Sequence, residues 1–201
     1  MNRRDVLKGL GLTLGYTIAT PSIMSLLQSC KTEVKLWTPK FLSVDEGTVV
    51  KNLVDIMLPK TEATPGALDV NVPEFIDLYT YKVYNEQQQL KFKKGLNAII
   101  KALNTPAEGV SALEYKDYDI LLAKYLKASK KQRLAYQNGS DKDDEDTIVF
   151  NALLELRNTA VWAYKTSEQI GETVLAYDPI PGAQIGCAPL EELTNGKAWS
   201  L

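Results

Sequence analysis

Apolar side chains recur at helical spacing through residues 42–201, and no stretch alternates long enough to build a sheet. The first helix is predicted to follow Ser43, which forms a capping box with Glu46, and to end at Pro59. A second helix is predicted from about Pro73. Three more are expected from about Glu86 to Leu103, from Tyr118 to about Lys127, and from Thr147 to about Lys165. The pattern predicts an all-α fold, an irregular bundle of about five to six helices.

Two segments rich in proline and glycine interrupt this pattern, at residues 58–77 and 171–190. Both are longer than a helical bundle needs for its connections, and long ordered loops often carry function. The second leads into an extended tail, from about residue 176, that contains Trp199. Such a tail needs a surface to lie on, either that of its own helices or that of a partner.

The N-terminus has the three parts of an export signal, which are a basic head, an uncharged apolar stretch and a small-residue end. The head, with Arg3 and Arg4, resembles a twin-arginine signal, and the general secretory route is the alternative. Glycines in the apolar stretch disfavour a permanent transmembrane helix. The final Leu-Gln-Ser-Cys resembles a lipobox, in which Cys30 is acylated, although it could be an incidental cysteine after an ordinary signal peptide.

These features predict a signal peptide at residues 1–29, a tether at 30–41 and a single helical domain at 42–201, with its tail from about 176. Removing the signal would change the net charge from −2 to −4. This balance argues against nucleic acid as a partner, because phosphate binding needs a concentrated basic surface.

The chain has no histidine, which excludes the Ser-His-Asp and Cys-His catalytic arrangements, histidine-ligated haem and histidine-based zinc sites. Acylation of Cys30 would leave Cys187 as the only thiol, and one thiol cannot hold an iron–sulfur cluster. A hydrolase with paired carboxylates, such as Asp55 and Asp77, stays open without specific support.

Two charged features have competing interpretations. The acidic run at residues 138–146 lacks the spacing of a calcium loop, so a solvated loop that places carboxylates at the next helix N-terminus is favoured. Arg157 falls among the apolar positions of the fifth helix. It is expected to extend to solvent or to pair with a carboxylate, with a partner contact as the alternative.

Several short motifs occur in order between residues 55 and 187, and their combination is more specific than any one of them. They are Asp-Ile-Met-Leu-Pro at 55–59, Thr-Pro-Gly-Ala at 64–67, Val-Pro-Glu-Phe-Ile-Asp at 72–77, Ala-Tyr-Lys-Thr-Ser-Glu at 163–168, and Leu-Ala-Tyr-Asp-Pro-Ile-Pro-Gly at 175–182 before Gly186 and Cys187. Together they resemble the gluconate 2-dehydrogenase subunit 3 family, whose pattern also includes a twin-arginine signal.

The resemblance implies a non-catalytic small subunit without a cofactor of its own. Its large subunit would be a glucose–methanol–choline type flavoprotein that holds FAD and oxidises a sugar or polyol, and a cytochrome c subunit often accepts the electrons. The small subunit would escort and stabilise this partner. The expected location is the periplasmic or cell-envelope side, with a lipid anchor in the membrane.

The two loops and the tail are the candidate contacts with the large subunit. Cys187 could bond a cysteine of that subunit or be a buried free thiol. A different class, the stand-alone ligand-binding lipoprotein, would need a pocket lined by aromatic residues such as Tyr79, Tyr81, Tyr84 and Trp162. The candidate contact residues are Pro65, Gly66, Phe75, Asp77, Tyr177, Pro179, Pro181, Gly182 and Cys187.

Overall fold

A computed structural model describes residues 37–137, 144–180, 182 and 187–200. In these ranges the chain forms α-helices, one short 3₁₀ turn and no strand, so the all-α prediction is confirmed. The helices are α1 Val44–Met57, α2 Val72–Lys82, α3 Glu86–Ala102, α4 Tyr115–Leu126, α5 Lys130–Gln137, α6 Glu145–Lys165, α7 Glu168–Thr173 and α8 Leu190–Thr194.

The five helices predicted from apolar spacing are all present, and α5, α7 and α8 are additional. The capping box at the start of α1 is confirmed, with the Ser43 amide donating to Glu46 Oε2 at 2.7 Å and the Glu46 amide donating to Ser43 Oγ at 3.2 Å. Helix α4 begins earlier than predicted because the Glu114 amide donates to Asp117 Oδ2 at 2.9 Å and closes a first turn there. The structure thus adds short polar helices to the predicted apolar framework.

Helix α6 is the centre of the bundle, and α2, α3, α4 and α5 all pack against it. Its buried side chains include Leu153 and Phe150, and the Phe150 ring lies 5.5 Å from that of Tyr136 on α5. Burying an aliphatic or aromatic side chain of this size stabilises a fold by about 1.5–3 kcal/mol. The largest fully buried side chains are Tyr118, Tyr125, Phe150, Leu53, Ile76, Ile99, Leu153 and Ile170.

Gly95 sets the close approach of α3 to α6. A Cβ atom at this position would lie 2.7 Å from the Cβ of Ala152 on α6, closer than two carbon atoms can pack. Because the helices would have to separate, we expect Gly95→Val to lower the free energy of unfolding by about 1–3 kcal/mol in urea denaturation. Asn97→Val, at an exposed position of α3, is the control for helix propensity. Equal losses in both variants would contradict the packing explanation.

The predicted export signal and lipidation site, with Arg3, Arg4 and Cys30, lie outside the described residues. The division into signal, tether and domain therefore stays a prediction. Among the helices of the described ranges, none combines the length and apolar character needed to cross a bilayer.

Candidate partner-binding surface

Five aromatic side chains from α2, α3, α6 and the turn after α2 form one continuous cluster, here called the aromatic cluster: Phe75, Tyr79, Tyr84, Phe92 and Trp162. Its centre is the contact of Trp162 with Phe75 and with Tyr79, both at 5.3 Å between ring centroids and both edge-on. Phe75 also stacks on Tyr79 at 5.6 Å. Edge-on and offset stacked pairs at these distances favour a fixed ring arrangement.

The outer side of α2 continues the cluster as an exposed apolar surface. Phe75 is 37% exposed, Leu78 50% and Tyr81 47%, and Trp162 on α6 is 42% exposed. Residues three apart share one side of a helix, so Phe75, Leu78 and Tyr81 form a single row. We call these three residues with Trp162 the α2 apolar face. The opposite side of α2 is buried through Val72, Pro73, Ile76, Asp77 and Thr80.

The inner edge of the aromatic cluster has a polar anchor. The Tyr84 hydroxyl donates to Glu155 Oε1 at 3.5 Å, and Lys91 Nζ donates to Glu155 Oε2 at 2.9 Å. Burial raises the pKa of Tyr84 above its ordinary value, and the nearby Glu155 carboxylate raises it further. The hydroxyl therefore stays protonated at neutral pH and acts as a donor that positions the ring.

The aromatic pocket required by the ligand-binding alternative is only partly assembled. Tyr79, Tyr84 and Trp162 do come together, but Tyr81 instead lies under the ammonium group of Lys82, at 4.6 Å from its ring centroid. Tyr79 packs edge-on against both Tyr84 and Trp162, with centroids 5.6 and 5.3 Å apart, so no sugar fits between Tyr79 and either of the other two rings. The arrangement suits an external contact better than an enclosed ligand.

Asp77, one of the candidate contact residues, is turned into the fold and is only 1% exposed. Its Oδ2 accepts from the Lys40 amide at 2.6 Å, and its Oδ1 accepts from the amides of Phe41 and Leu42 at 3.0 and 2.9 Å. These bonds join α2 to the chain segment that precedes α1. The carboxylate therefore organises the fold beneath the α2 apolar face.

The loop between α1 and α2 is held in place around Pro65 and Gly66. The Pro65 carbonyl accepts from the Tyr164 hydroxyl at 2.6 Å, and the Gly66 amide donates to Asp69 Oδ2 at 2.8 Å. The Gly66 amide and then Lys60 hold the pKa of Asp69 below its ordinary value. Gly66 is itself buried against the Lys60 backbone, 2.6 Å from where a Cβ would lie. Of the two candidate contact residues in this loop, Pro65 is half-buried and Gly66 is buried.

The candidate contact residues that are described in the second proline- and glycine-rich segment lie at the surface. Tyr177 is 51% exposed, and Pro179 and Gly182 are exposed as well. Cys187 is an exposed thiol, so its interpretation as a buried thiol is wrong. Pro181 lies outside the described residues.

The tail after α8 forms hydrogen bonds with Ala176, in an earlier segment of the same domain. The Ala176 amide donates to the Ala198 carbonyl at 2.9 Å, and the Ser200 amide donates to the Ala176 carbonyl at 2.8 Å. Trp199, between them, is still 49% exposed. The tail thus follows its own helices while it leaves a large aromatic side chain available.

The structure tests the interpretations of the acidic run and of Arg157 in part. Asp144 caps α6 by accepting the Thr147 amide at 3.0 Å, as the acidic run predicts, while residues 138–143 lie outside the described ranges. Arg157 is exposed and has no ion pair within the described residues, so the expected carboxylate partner is not found there. The described ranges hold no group of three or more carboxylate or thiol side chains that could bind a metal ion.

The family model for gluconate 2-dehydrogenase subunit 3 matches residues 44–182, more than half of the chain. The chain belongs to this family. The match spans α1 to α7 and so includes the aromatic cluster and the α2 apolar face. The family's name places its members in a dehydrogenase complex, as subunits. No curated protein and no solved structure matches this subunit 3 chain.

Phe75 of this subunit 3 chain was among the contact residues predicted from the sequence, but Leu78, its neighbour on the α2 apolar face, was not. A signal was available, because Phe75, Ile76, Leu78 and Tyr79 place four large apolar residues within five positions. A helix that buries only one side needs fewer apolar residues per turn than these four. The additional apolar residues predict a second apolar side of α2, and this side is exposed in the structure.

Proposed function

We propose that this subunit escorts, stabilises and tethers to the membrane a FAD-dependent sugar or polyol dehydrogenase of the glucose–methanol–choline type. The subunit itself is non-catalytic and holds no cofactor. The flavoprotein binds the substrate and FAD, and a cytochrome c subunit takes the electrons onward. The complex works on the periplasmic or cell-envelope side of the membrane, anchored by a lipid on Cys30.

The observation that supports a partner most strongly is the α2 apolar face. Phe75, Leu78, Tyr81 and Trp162 are each between 37% and 50% exposed, although two of them belong to an ordered ring cluster. Clustered exposed apolar side chains mark interaction surfaces in soluble domains. Aromatic anchors whose rotamers are already fixed lose little conformational entropy on binding, which makes them effective contact residues.

The proposed anchor would act on the partner through α2. Ten residues separate Cys30 from Lys40, whose amide bonds Asp77 on α2. A fully extended chain of that length spans at most about 35 Å. The length of this segment would therefore limit how far Lys40 can move from a lipid on Cys30.

Affinity purification of the tagged full chain from detergent-solubilised envelopes tests the assignment. We expect a yellow partner to co-elute, with the absorption spectrum of bound FAD and with sugar or polyol dehydrogenase activity towards an artificial electron acceptor. A colourless subunit that elutes alone as a monomer and binds sugar in calorimetry would instead support the stand-alone lipoprotein.

Export and tethering are tested in the same cells. Changing Arg3→Lys together with Arg4→Lys should retain both this chain and the flavoprotein in the cytoplasm, and Cys30→Ser should release the complex from the membrane fraction. Met24→Leu, within the predicted signal, is the neutral control. A flavoprotein that is still exported when the twin arginines are replaced would contradict the escort role.

A further inference from the structure

A groove of about 420 Å³ runs between α5 and α6, away from the two proline- and glycine-rich segments. Its apolar part is formed by Leu134, Phe150 and Leu154, and its polar part by Lys130, Arg133 and Arg157. Arg133 and Leu134 lie three and four residues after Lys130 on α5, and all three side chains line the groove. The two arginines of the described ranges thus meet across one groove.

The charge in this groove is uncompensated within the described residues. No aspartate or glutamate lines it, and Lys130, Arg133 and Arg157 form no ion pair there. By contrast, lysines on the neighbouring helices α3 and α4 form ion pairs with carboxylates of α6. Lys124 pairs with Asp146 at 2.9 Å, and Lys101 pairs with Glu145 at 2.6 Å. Three cations that have no carboxylate beside them within the described part of the chain, gathered in a concave site, indicate a place for an external anion.

Helix α5 has no buried residue, although it packs along α6. Leu134 is left 45% exposed at the groove. A ligand that covers Leu134 and also contacts the two guanidinium groups would gain in two ways. It would bury apolar area, and it would form charge-assisted hydrogen bonds. Guanidinium groups bind carboxylates through two parallel hydrogen bonds, and an apolar surrounding strengthens such contacts.

The position of Arg157 connects the groove to the α2 apolar face. Arg157 and Trp162 border a second, smaller cleft on α6, and their five-residue separation corresponds to about 7.5 Å along the helix axis. Because both side chains line this cleft, one protein surface can cover both. A flat bilayer does not enter a concave groove between two helices, whereas a protruding polypeptide segment does.

We infer that the groove between α5 and α6 receives an acidic segment of the partner protein, in which a carboxylate side chain neighbours an apolar one. The carboxylate bonds Arg133 and Arg157, and the apolar side chain covers Leu134. This inference rests on the proposed function, since it adds a charged contact to the aromatic one. The charged contact sets the register of the partner and makes assembly sensitive to salt.

The test uses the co-expressed complex and measures the dissociation constant of purified subunits by biolayer interferometry at low and at high salt. Arg133→Glu combined with Arg157→Glu should weaken binding roughly 10- to 100-fold at low salt and flatten its salt dependence, because each carboxylate contact becomes a repulsion. Lys131→Glu combined with Lys51→Glu is the matched control. Lys131 is on α5 and Lys51 on α1, both are exposed, and neither lines the groove.

Each outcome separates the two proposals. A wild-type chain that forms no complex removes both the proposed function and this inference. A complex that tolerates the double arginine change as well as the control leaves the function standing and overturns the groove. Binding to vesicles with 30% phosphatidylserine, lost in the arginine variant while the complex is intact, would assign the groove to membrane lipid and also overturn the inference. Circular dichroism checks that each variant is folded.

Discussion

Replacing Asp77 by alanine is expected to lower the free energy of unfolding by about 3 kcal/mol or more, the largest stability effect that we predict. The carboxylate accepts three backbone amides, from Lys40, Phe41 and Leu42, and is 1% exposed. Hydrogen bonds to a charged group contribute about 1.5–3 kcal/mol, and their loss also leaves buried donors unpaired. Urea denaturation followed by circular dichroism measures the change.

Two further variants show whether these bonds are the cause. Asp77→Asn keeps an oxygen that can accept from Phe41 and Leu42 but turns an amino group towards Lys40, so we expect an intermediate loss. Asp55→Ala removes a half-buried carboxylate of α1 that forms no side-chain hydrogen bond with any residue in the described ranges, and it should change stability by about 0.5 kcal/mol or less. If Asp55→Ala is as destabilising as Asp77→Ala, loss of negative charge rather than of the three bonds is responsible.

Much of the bundle could be predicted from the sequence because its helices have local causes. A capping box at Ser43, a proline after α1 and apolar spacing along α3 and α6 each act within a few residues. Helix α5 has a local start signal, since the Ser129 amide donates to Gln132 Oε1 at 3.1 Å and the Gln132 amide donates to Ser129 Oγ at 3.3 Å, but it lacks an apolar pattern. Its eight residues bury nothing, so no apolar period reveals it, and it is seen only where it packs against α6.

The candidate surface was less predictable, since its organisation depends on contacts between distant parts of the chain. Asp77 was selected as a partner contact, but its hydrogen-bond partners are 35 to 37 residues away in sequence and draw it inward. Arg157 was expected to extend to solvent or to pair with a carboxylate; it is exposed, and the structure also places it across a groove from Arg133. Neither arrangement follows from spacing along one helix.

Helix α2 connects these observations, because its two sides have different roles. Asp77 and Ile76 hold it in the fold, and Phe75, Leu78 and Tyr81 leave its other side apolar and exposed. Rigid attachment on the inner side keeps the outer row in a fixed arrangement before a partner arrives. Preorganised contact residues of this kind bind with a smaller entropy loss.

Changing Phe75→Gln together with Trp162→Gln is therefore expected to weaken the complex with the flavoprotein at least about 100-fold. Truncating a central aromatic contact typically costs 2 kcal/mol or more, and each 1.4 kcal/mol is a factor of ten in affinity. Both side chains are more than a third exposed, so the fold should lose mainly their ring contacts with each other and with Tyr79, about 0.5–1.5 kcal/mol for each pair. Biolayer interferometry with the purified partner measures the affinity, and circular dichroism confirms the helical content.

Tyr115→Gln combined with Ile120→Gln is the matched control, because these residues are 65% and 59% exposed on α4 and lie outside the aromatic cluster. The control should bind the flavoprotein as the unchanged chain does. If both pairs of substitutions weaken the complex equally, general surface hydrophobicity drives assembly and the α2 apolar face has no special part in it. A selective loss with the first pair means that the ordered rings of α2 and α6 recognise the partner, since exposed apolar area alone is greater at the control positions.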